Sequence, residues 1–253
     1  MDLVTLGSKT AKNGFRNEEE VAEIFNNWRE NDLAQAWLSK MKYIYDEIED
    51  VRAVVLKDIK PKPKSDVNVQ IKVFWKNGAI NIENISVKLV SNCSGFNQID
   101  KRWTTKYVEM WNIPENVANV LRRFTGEILP NIKNSRDPRR MFMDEFSKSE
   151  QDLLLNFVEN NRILIVSDIL KGRGEFSADW MLVVIRKDNK IESWALEEIG
   201  VVMNFFGSGE IKITSRGSFR IGKITVQRKG GDGGRDSAKM LQFKIDPSKL
   251  CKI

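Results

Sequence analysis

One stretch constrains the fold more than any other, residues 67–89, which read VNVQIKVFWKNGAINIENISVKL. Two alternating apolar runs meet at Asn77-Gly78, the dipeptide favoured where a type I′ hairpin turn needs positive φ at two successive positions. The pairing this predicts sets Trp75 opposite Ile80 and Val73 opposite Ile82. Strict alternation fails at Glu83-Asn84, and a one-residue bulge there restores it, pairing Ile71 with Ile85, Val69 with Val87 and Val67 with Leu89. One face of the hairpin is then wholly apolar and requires a second layer to cover it.

The other face gathers Asp66, Asn68 and Gln70 from the first strand with Ser86 and Lys88 from the second. Ser86 and Lys88 are two apart and point the same way; Asn68 falls opposite Lys88, and Asp66 lies diagonally at about 7–8 Å. That distance suits a shared reacting phosphate. A carboxylate can hold a divalent ion, the backbone carbonyl of Val87 is in reach of the same ion, and Lys88 can orient or deprotonate an attacking water. An ordinary strand pair with charges on its solvated face has the same pattern, and the hairpin alone does not choose between the two.

The chain contains no histidine. Ser-His-Asp and Cys-His catalysis, His-ligated zinc and imidazole acid/base chemistry are therefore excluded. What remains is carboxylates, lysine, hydroxyls, thiols or a metal held by oxygens, which favours hard ions such as magnesium. The net charge of +6 is unevenly placed, with 11 Lys and Arg against 3 Asp and Glu in residues 211–253. A basic C-terminal segment on a near-neutral body is the footprint of a polyanion partner, although a merely solvated basic surface has the same composition.

At 253 residues the chain can bury a full core in a single domain, with a catalytic core over about 1–130 and a recognition part over about 160–253. Cys93 and Cys251 cannot form a disulfide framework, no apolar run approaches the roughly 20 residues of a membrane span, and MDLVTLGSKTAK lacks a signal-peptide apolar core, which reads as a cytoplasmic protein. Asn17 before three glutamates, with Val21, Phe25 and Trp28 at helical spacing, predicts a helix over about 18–40. Further helices are expected at about 100–112, at 115–125 between Pro114 and Gly126, and at 147–160 behind a Ser147/Glu150 capping box. PNIKNSRDPRRM at 130–141 reads as an exposed basic linker, RILIVSDIL and ADWMLVVIR as buried strands, and IESWALEEIGVVMNFFG as a helix closed by Gly207. GEIKIT, FRIGKITVQRK and MLQFKI are short strand candidates. The whole predicts an α/β protein, a mixed central sheet flanked by helices with a basic, β-rich C-terminal segment.

The order of motifs adds a second line of argument. GSKTAKNGFRNEE, VKLVSN, GFNQIDK, RRFTGE, RRMFMDEFS, DILKGRGEFSADW and TVQRKGGDGGRDSAKMLQFKIDP together resemble the HinP-type type II restriction endonucleases, over nearly the whole chain. The resemblance implies the PD-(D/E)xK nuclease fold, hydrolysis of the palindrome GCGC after its first G to leave a two-base 5′ overhang, and one or two Mg2+ ions for which Mn2+ can substitute. It also implies double-stranded DNA as substrate, a cognate DNA cytosine methyltransferase as genetic partner, and action as a monomer or homodimer.

By the same resemblance Asp66 is a metal ligand and Lys88 the catalytic lysine. The chain departs at Ser86, where the HinP pattern has glutamine, so metal binding there falls to a shorter hydroxyl, to water, or to Gln70 or Asn68. Glu18 matches the family's first helix as a supporting carboxylate, although a solvated helix residue fits it equally. The loop SGFNQIDK matches closely, which suggests that Phe96 wedges between bases and that Asn97, Gln98 and Lys101 contact DNA; a core position for Phe96 is the alternative. RKGGDGGR lacks the Gly-Lys-Ser/Thr of a nucleotide loop, and its glycines instead permit close approach to a DNA backbone. Gln227, Arg228, Lys229 and Arg235 are the expected guanine or phosphate contacts, and Asp232 can accept from cytosine N4. Two other readings stand beside this one: a structure-selective repair or junction nuclease of the same fold, and a DNA-binding protein with a dead site, which Ser86 favours.

Overall fold

The hairpin forms, but its turn differs from the expected one. In the computed structural model, which describes residues 18–56, 69–90, 95–132, 135–188, 190–231 and 235–252, strand β2 (Val69–Trp75) pairs antiparallel with β3 (Ile80–Val90). Of the Asn77-Gly78 pair only Gly78 has positive φ, at +87°. Gly78 N–H donates to Trp75 O and Trp75 N–H to Ala79 O, each at 2.9 Å. This is the three-residue loop whose last residue sits in the left-handed region, a glycine bulge at the turn itself. The extra residue is therefore absorbed at Gly78, and no bulge occurs at Glu83-Asn84: the register runs Phe74↔Ile80, Ile71↔Glu83, Gln70↔Asn84 and Val69↔Ile85. Ile80 and Ile82 consequently leave the apolar face and are each 54% exposed.

The described residues divide into two compact units. One comprises the described parts of Thr5–Gly95 with Lys171–Val202 and Asp246–Ile253. Its five-stranded sheet has the order β1-β2-β3-β5-β6, with β1 (Ile48–Val55), β5 (Trp180–Lys187) and β6 (Lys190–Glu198). β3 and β5 run parallel, and the other neighbours are antiparallel. Val69, Ile71, Val73, Ile85, Val87, Leu182 and Leu196 line the face that packs on Val21, Phe25, Trp28 and Trp37. Those aromatics come from helix α1 (18–26), a 3-10 turn at Trp28–Glu30 and α2 (Asp32–Lys40), which together replace the single helix expected over 18–40. The break is local: Asn31 is extended and its side chain caps α2 by accepting from Leu33 and Ala34 N–H.

The other unit comprises Phe96–Leu170 with Met203–Ile245. Its sheet has the order β4-β10-β9-β8-β7, with β4 (Asn97–Arg102), β7 (Ile211–Ile213), β8 (Phe219–Ile221), β9 (Ile224–Arg228) and β10 (Leu241–Ile245), all antiparallel. The basic tail thus supplies four strands and takes its fifth from residues 97–102, where a helix over 100–112 was expected; only Thr104–Trp111 is helical, as α3. α4 (Glu115–Thr125) lies between Pro114 and a left-handed Gly126, and α5 (Lys148–Asn160) starts at the Ser147/Glu150 capping box, both as expected.

Three other elements depart from expectation. RILIVSDIL is helix α6 (Arg162–Leu170), not a strand. Its buried residues Ile165, Val166, Ile169 and Leu170 recur at helical spacing, and Trp111 Nε1 donates to Asp168 Oδ2 at 2.8 Å. A short apolar, β-branched run carries no periodicity able to exclude either structure. IESWALEEIGVVMNFFG splits, because Leu196 pairs with Leu182 and Ala195 with Val183, making its first half β6; only Ile199–Gly207 is helical, as α7. The supposed basic linker contains a defined element, a tight turn at Asp137-Pro138-Arg139-Arg140 closed by Arg140 N–H to Asp137 O at 3.2 Å.

Candidate functional site

Along β3 the residues Asn84, Ser86 and Lys88 project to the side opposite Ile85 and Val87. Gln70, paired with Asn84, lies on that same side. A solvated strand face would leave these groups wet, yet Asn84 is 6%, Ser86 1% and Lys88 8% exposed. Burying a lysine, an amide and a hydroxyl in one row costs free energy that an apolar row would not, and such rows are retained where they do chemistry. Among the described residues Ser86 Oγ has no hydrogen-bond partner. An orphan oxygen of this kind is suited to a ligand, whether metal or water.

Asn84 was not foreseen, because a bulge placed at Glu83-Asn84 removed it from the alternation. It fixes the site from below. Its side chain accepts from Gln70 Nε2 at 3.0 Å and donates to the carbonyls of Glu175 and Ser177 at 3.0 and 3.1 Å. Its backbone N–H donates to Asp179 Oδ2 at 2.9 Å, and its carbonyl accepts from Asp179 N–H at 2.8 Å. Ser86 and Lys88 thus follow a residue pinned to β2 and to the segment that leads into β5. On the apolar side Glu83 accepts from Tyr43 Oη at 2.7 Å and Trp180 Nε1 at 3.0 Å, and burial together with that carboxylate pushes the Tyr43 phenol up. Asp66 and Asn68 lie outside the described residues, and Glu18 is half-buried at the start of α1.

In the other unit, β4, β10 and β9 lie side by side, and β4 and β9 carry five of the expected recognition residues, Asn97, Gln98, Lys101, Gln227 and Arg228. Phe96 is 49% exposed, so it is not a core anchor. Gln98 and Lys101 are exposed, and Asn97 is half-buried. Gln242 Nε2 donates to Gln98 Oε1 at 2.7 Å, and Gln227 Nε2 approaches Gln242 Oε1 at 3.4 Å, so three amides form a row across three strands. Gln242, itself buried, was missed; its register opposite Gln227 is a tertiary fact that no local pattern carries. Arg228 donates from Nε to Ala238 O at 3.0 Å, and burial, then the charge of Arg139, lowers its pKa from the ordinary value. Lys229 is half-buried, Arg235 is exposed, and Asp232 lies outside the described residues.

Among the described residues no group of three or more Asp, Glu, Cys or His could hold a metal ion, and no helix is long and apolar enough to cross a membrane. No curated protein matches the chain. A solved structure of restriction endonuclease MspI in complex with its cognate DNA is similar, at a TM-score of 0.60 and 14% identity over 90% of this chain and 83% of that one. Likeness at that identity speaks to the fold, which is that of a restriction endonuclease. The model of the R.HinP1I restriction endonuclease family matches residues 41–251, spanning both units and every candidate residue from Asp66 to Arg235. The chain is therefore a site-specific nuclease and belongs to the R.HinP1I restriction endonuclease family.

Proposed function

We propose that the protein is a magnesium-dependent type II endonuclease that hydrolyses double-stranded DNA at GCGC, cutting after the first G to leave a two-base 5′ overhang. The observation that carries this reading is the buried row of Asn84, Ser86 and Lys88 on one face of β3, in a chain of restriction-endonuclease family. A water attacks phosphorus in line, and the bond to the 3′ oxygen breaks, leaving a 5′ phosphate and a 3′ hydroxyl. Lys88 orients that water and stabilises the charge developing on the phosphoryl oxygens. Asp66 and the carbonyl of Val87 would hold the ion, with Ser86 contributing its hydroxyl directly or through water. When bound, magnesium supplies charge that stabilises the leaving oxygen. The orphan Ser86 oxygen fits such a ligand set.

The division of labour follows the two units: β3 carries the chemistry, while Phe96, Asn97, Gln98, Lys101, Gln227, Arg228, Lys229, Asp232 and Arg235 contact DNA. In the genome such an enzyme is accompanied by a cytosine methyltransferase that protects the same site, and it acts in the cytoplasm. Incubation of the protein with magnesium and a GCGC duplex is expected to give two discrete cuts. Lys88→Ala is expected to lower cleavage by about 10²–10³-fold, as loss of an electrostatic catalyst does, with DNA binding retained. An inert GCGC duplex at stoichiometric protein, or equal cutting of a scrambled duplex, sinks the reading. Ser86 in place of glutamine favours one alternative, a sequence-specific binder without activity. Magnesium titration separates them, since the binder retains GCGC but never nicks it.

A further inference from the structure

The Asp137–Arg140 turn is built rather than loose. Proline holds its second position, as type I and II turns prefer, and Ser135 Oγ donates to the Asp137 carbonyl. Beneath it lies Gly126 at φ +82°, so close that a Cβ there would stand 2.3 Å from Arg139 O. Arg139 donates from Nε and Nη2 to the two Asp137 carboxylate oxygens at 2.9 and 3.0 Å, and Arg140 Nε lies 3.9 Å from one of them. The Arg140 guanidinium stands 3.9 Å over the Phe142 ring, which also carries Arg136 at 4.3 Å. Arg136 is matched by Asp144 and Glu145, whereas the single Asp137 carboxylate serves Arg139 and Arg140. Two fixed cations, Arg139 and Arg140, around one carboxylate leave a local excess of positive charge that Asp137 alone does not neutralise.

We propose that the Asp137–Arg140 turn is a phosphate cradle that grips the backbone of duplex DNA. The proposal rests on the DNA-cleaving reading above and adds Arg139 and Arg140 to the DNA contacts. Reading guanine calls for a planar fork with two N–H groups directed at O6 and N7. Arg139 has committed Nε and Nη2 to Asp137, and what it presents outward, 73% exposed, acts as a point charge suited to phosphate. Stacking on Phe142 holds the Arg140 charge in place without depending on base identity. Asp137 is a positioning residue that sets the Arg139 fork.

The test measures binding of a GCGC duplex and a scrambled duplex across a salt series, with calcium replacing magnesium, for the full chain and for Arg139→Ala and Arg139→Lys. Arg139→Ala is expected to weaken both duplexes several-fold and by the same factor. Its slope of log affinity on log salt should be shallower by about 0.9, which is about a threefold smaller loss between 50 and 200 mM. Arg139→Lys, which keeps the charge, restores the slope. Thermal melting that leaves both variants folded well above the assay temperature assigns the effect to binding. Unchanged affinity and slope for Arg139→Ala overturn the cradle, and so does a loss confined to GCGC, which would make Arg139 a reader of bases. A wild type that binds neither duplex overturns both the cradle and the endonuclease reading. A wild type that binds without cutting, and is weakened by Arg139→Ala as described, supports the cradle and removes the endonuclease reading alone.

Discussion

Ser86 separates the structural and the chemical roles of its strand. Among the described residues its buried hydroxyl has no hydrogen-bond partner, and such a group destabilises a fold, so removing it should not lower stability. Ser86→Ala is therefore expected to melt at or slightly above the wild-type temperature while single-turnover cleavage of a GCGC duplex slows by about tenfold or more, in line with removal of a group that acts on the reaction. Slower cleavage with a lower melting temperature would make Ser86 a packing residue instead. Asp137 offers a test with a defined pH window. Its carboxyl is held down to about 2, from an ordinary 3.8, by the Arg139 fork and then by the Arg139 backbone N–H and nearby charge. A depressed carboxylate stabilises the fold above its unfolded pKa and loses that contribution as pH falls through the folded one. The gap in melting temperature between wild type and Asp137→Asn should hold steady above about pH 4 and close towards pH 2. A gap independent of acid over that window would show that the fork contributes nothing to folding.

At the scale of elements, Gly126 joins helix to turn. It closes α4 in the left-handed region and leaves no room for a Cβ against the Arg139 carbonyl. Gly126→Ala is expected to cost about 1–3 kcal/mol in denaturant unfolding, from backbone strain and displacement of the turn together; a loss well under 1 kcal/mol would mean that the turn gives way freely. This glycine was legible as a helix end from Pro114 and the apolar spacing between them, but its second role, under Arg139, was not. The same division runs through the chain. Capping at Ser147 and the alternation of Val69, Ile71 and Val73 are local, and both read correctly. Gly78 was read as half of a two-residue turn, and the displaced register hid Asn84, although Gln70, Ser86 and Lys88 still fell on one face. WALEE became strand because β5 offered it a partner, and the exposed Ile163 and Leu164 made α6 look like a buried strand. Depth of burial was illegible too: nothing in ISVKL distinguishes a wet lysine from one 8% exposed.

For the whole molecule, the arrangement of residues bears on how two strands of DNA are cut. Among the described residues the row Asn84, Ser86 and Lys88 occurs once, on β3. On the proposed reading of that row as the catalytic face, one chain attacks one phosphodiester at a time. Cutting both strands of a palindrome then takes either two chains or two successive events. With limiting protein and a supercoiled plasmid bearing one GCGC site, successive events give a nicked circle that rises first and decays as linear DNA forms, at a rate proportional to protein concentration. Two chains acting in concert instead give linear DNA directly, with a rate that depends on the square of protein concentration. A nicked intermediate would assign the two cuts to successive events on one chain, and direct linearisation with second-order dependence would require a second copy to supply the other catalytic face.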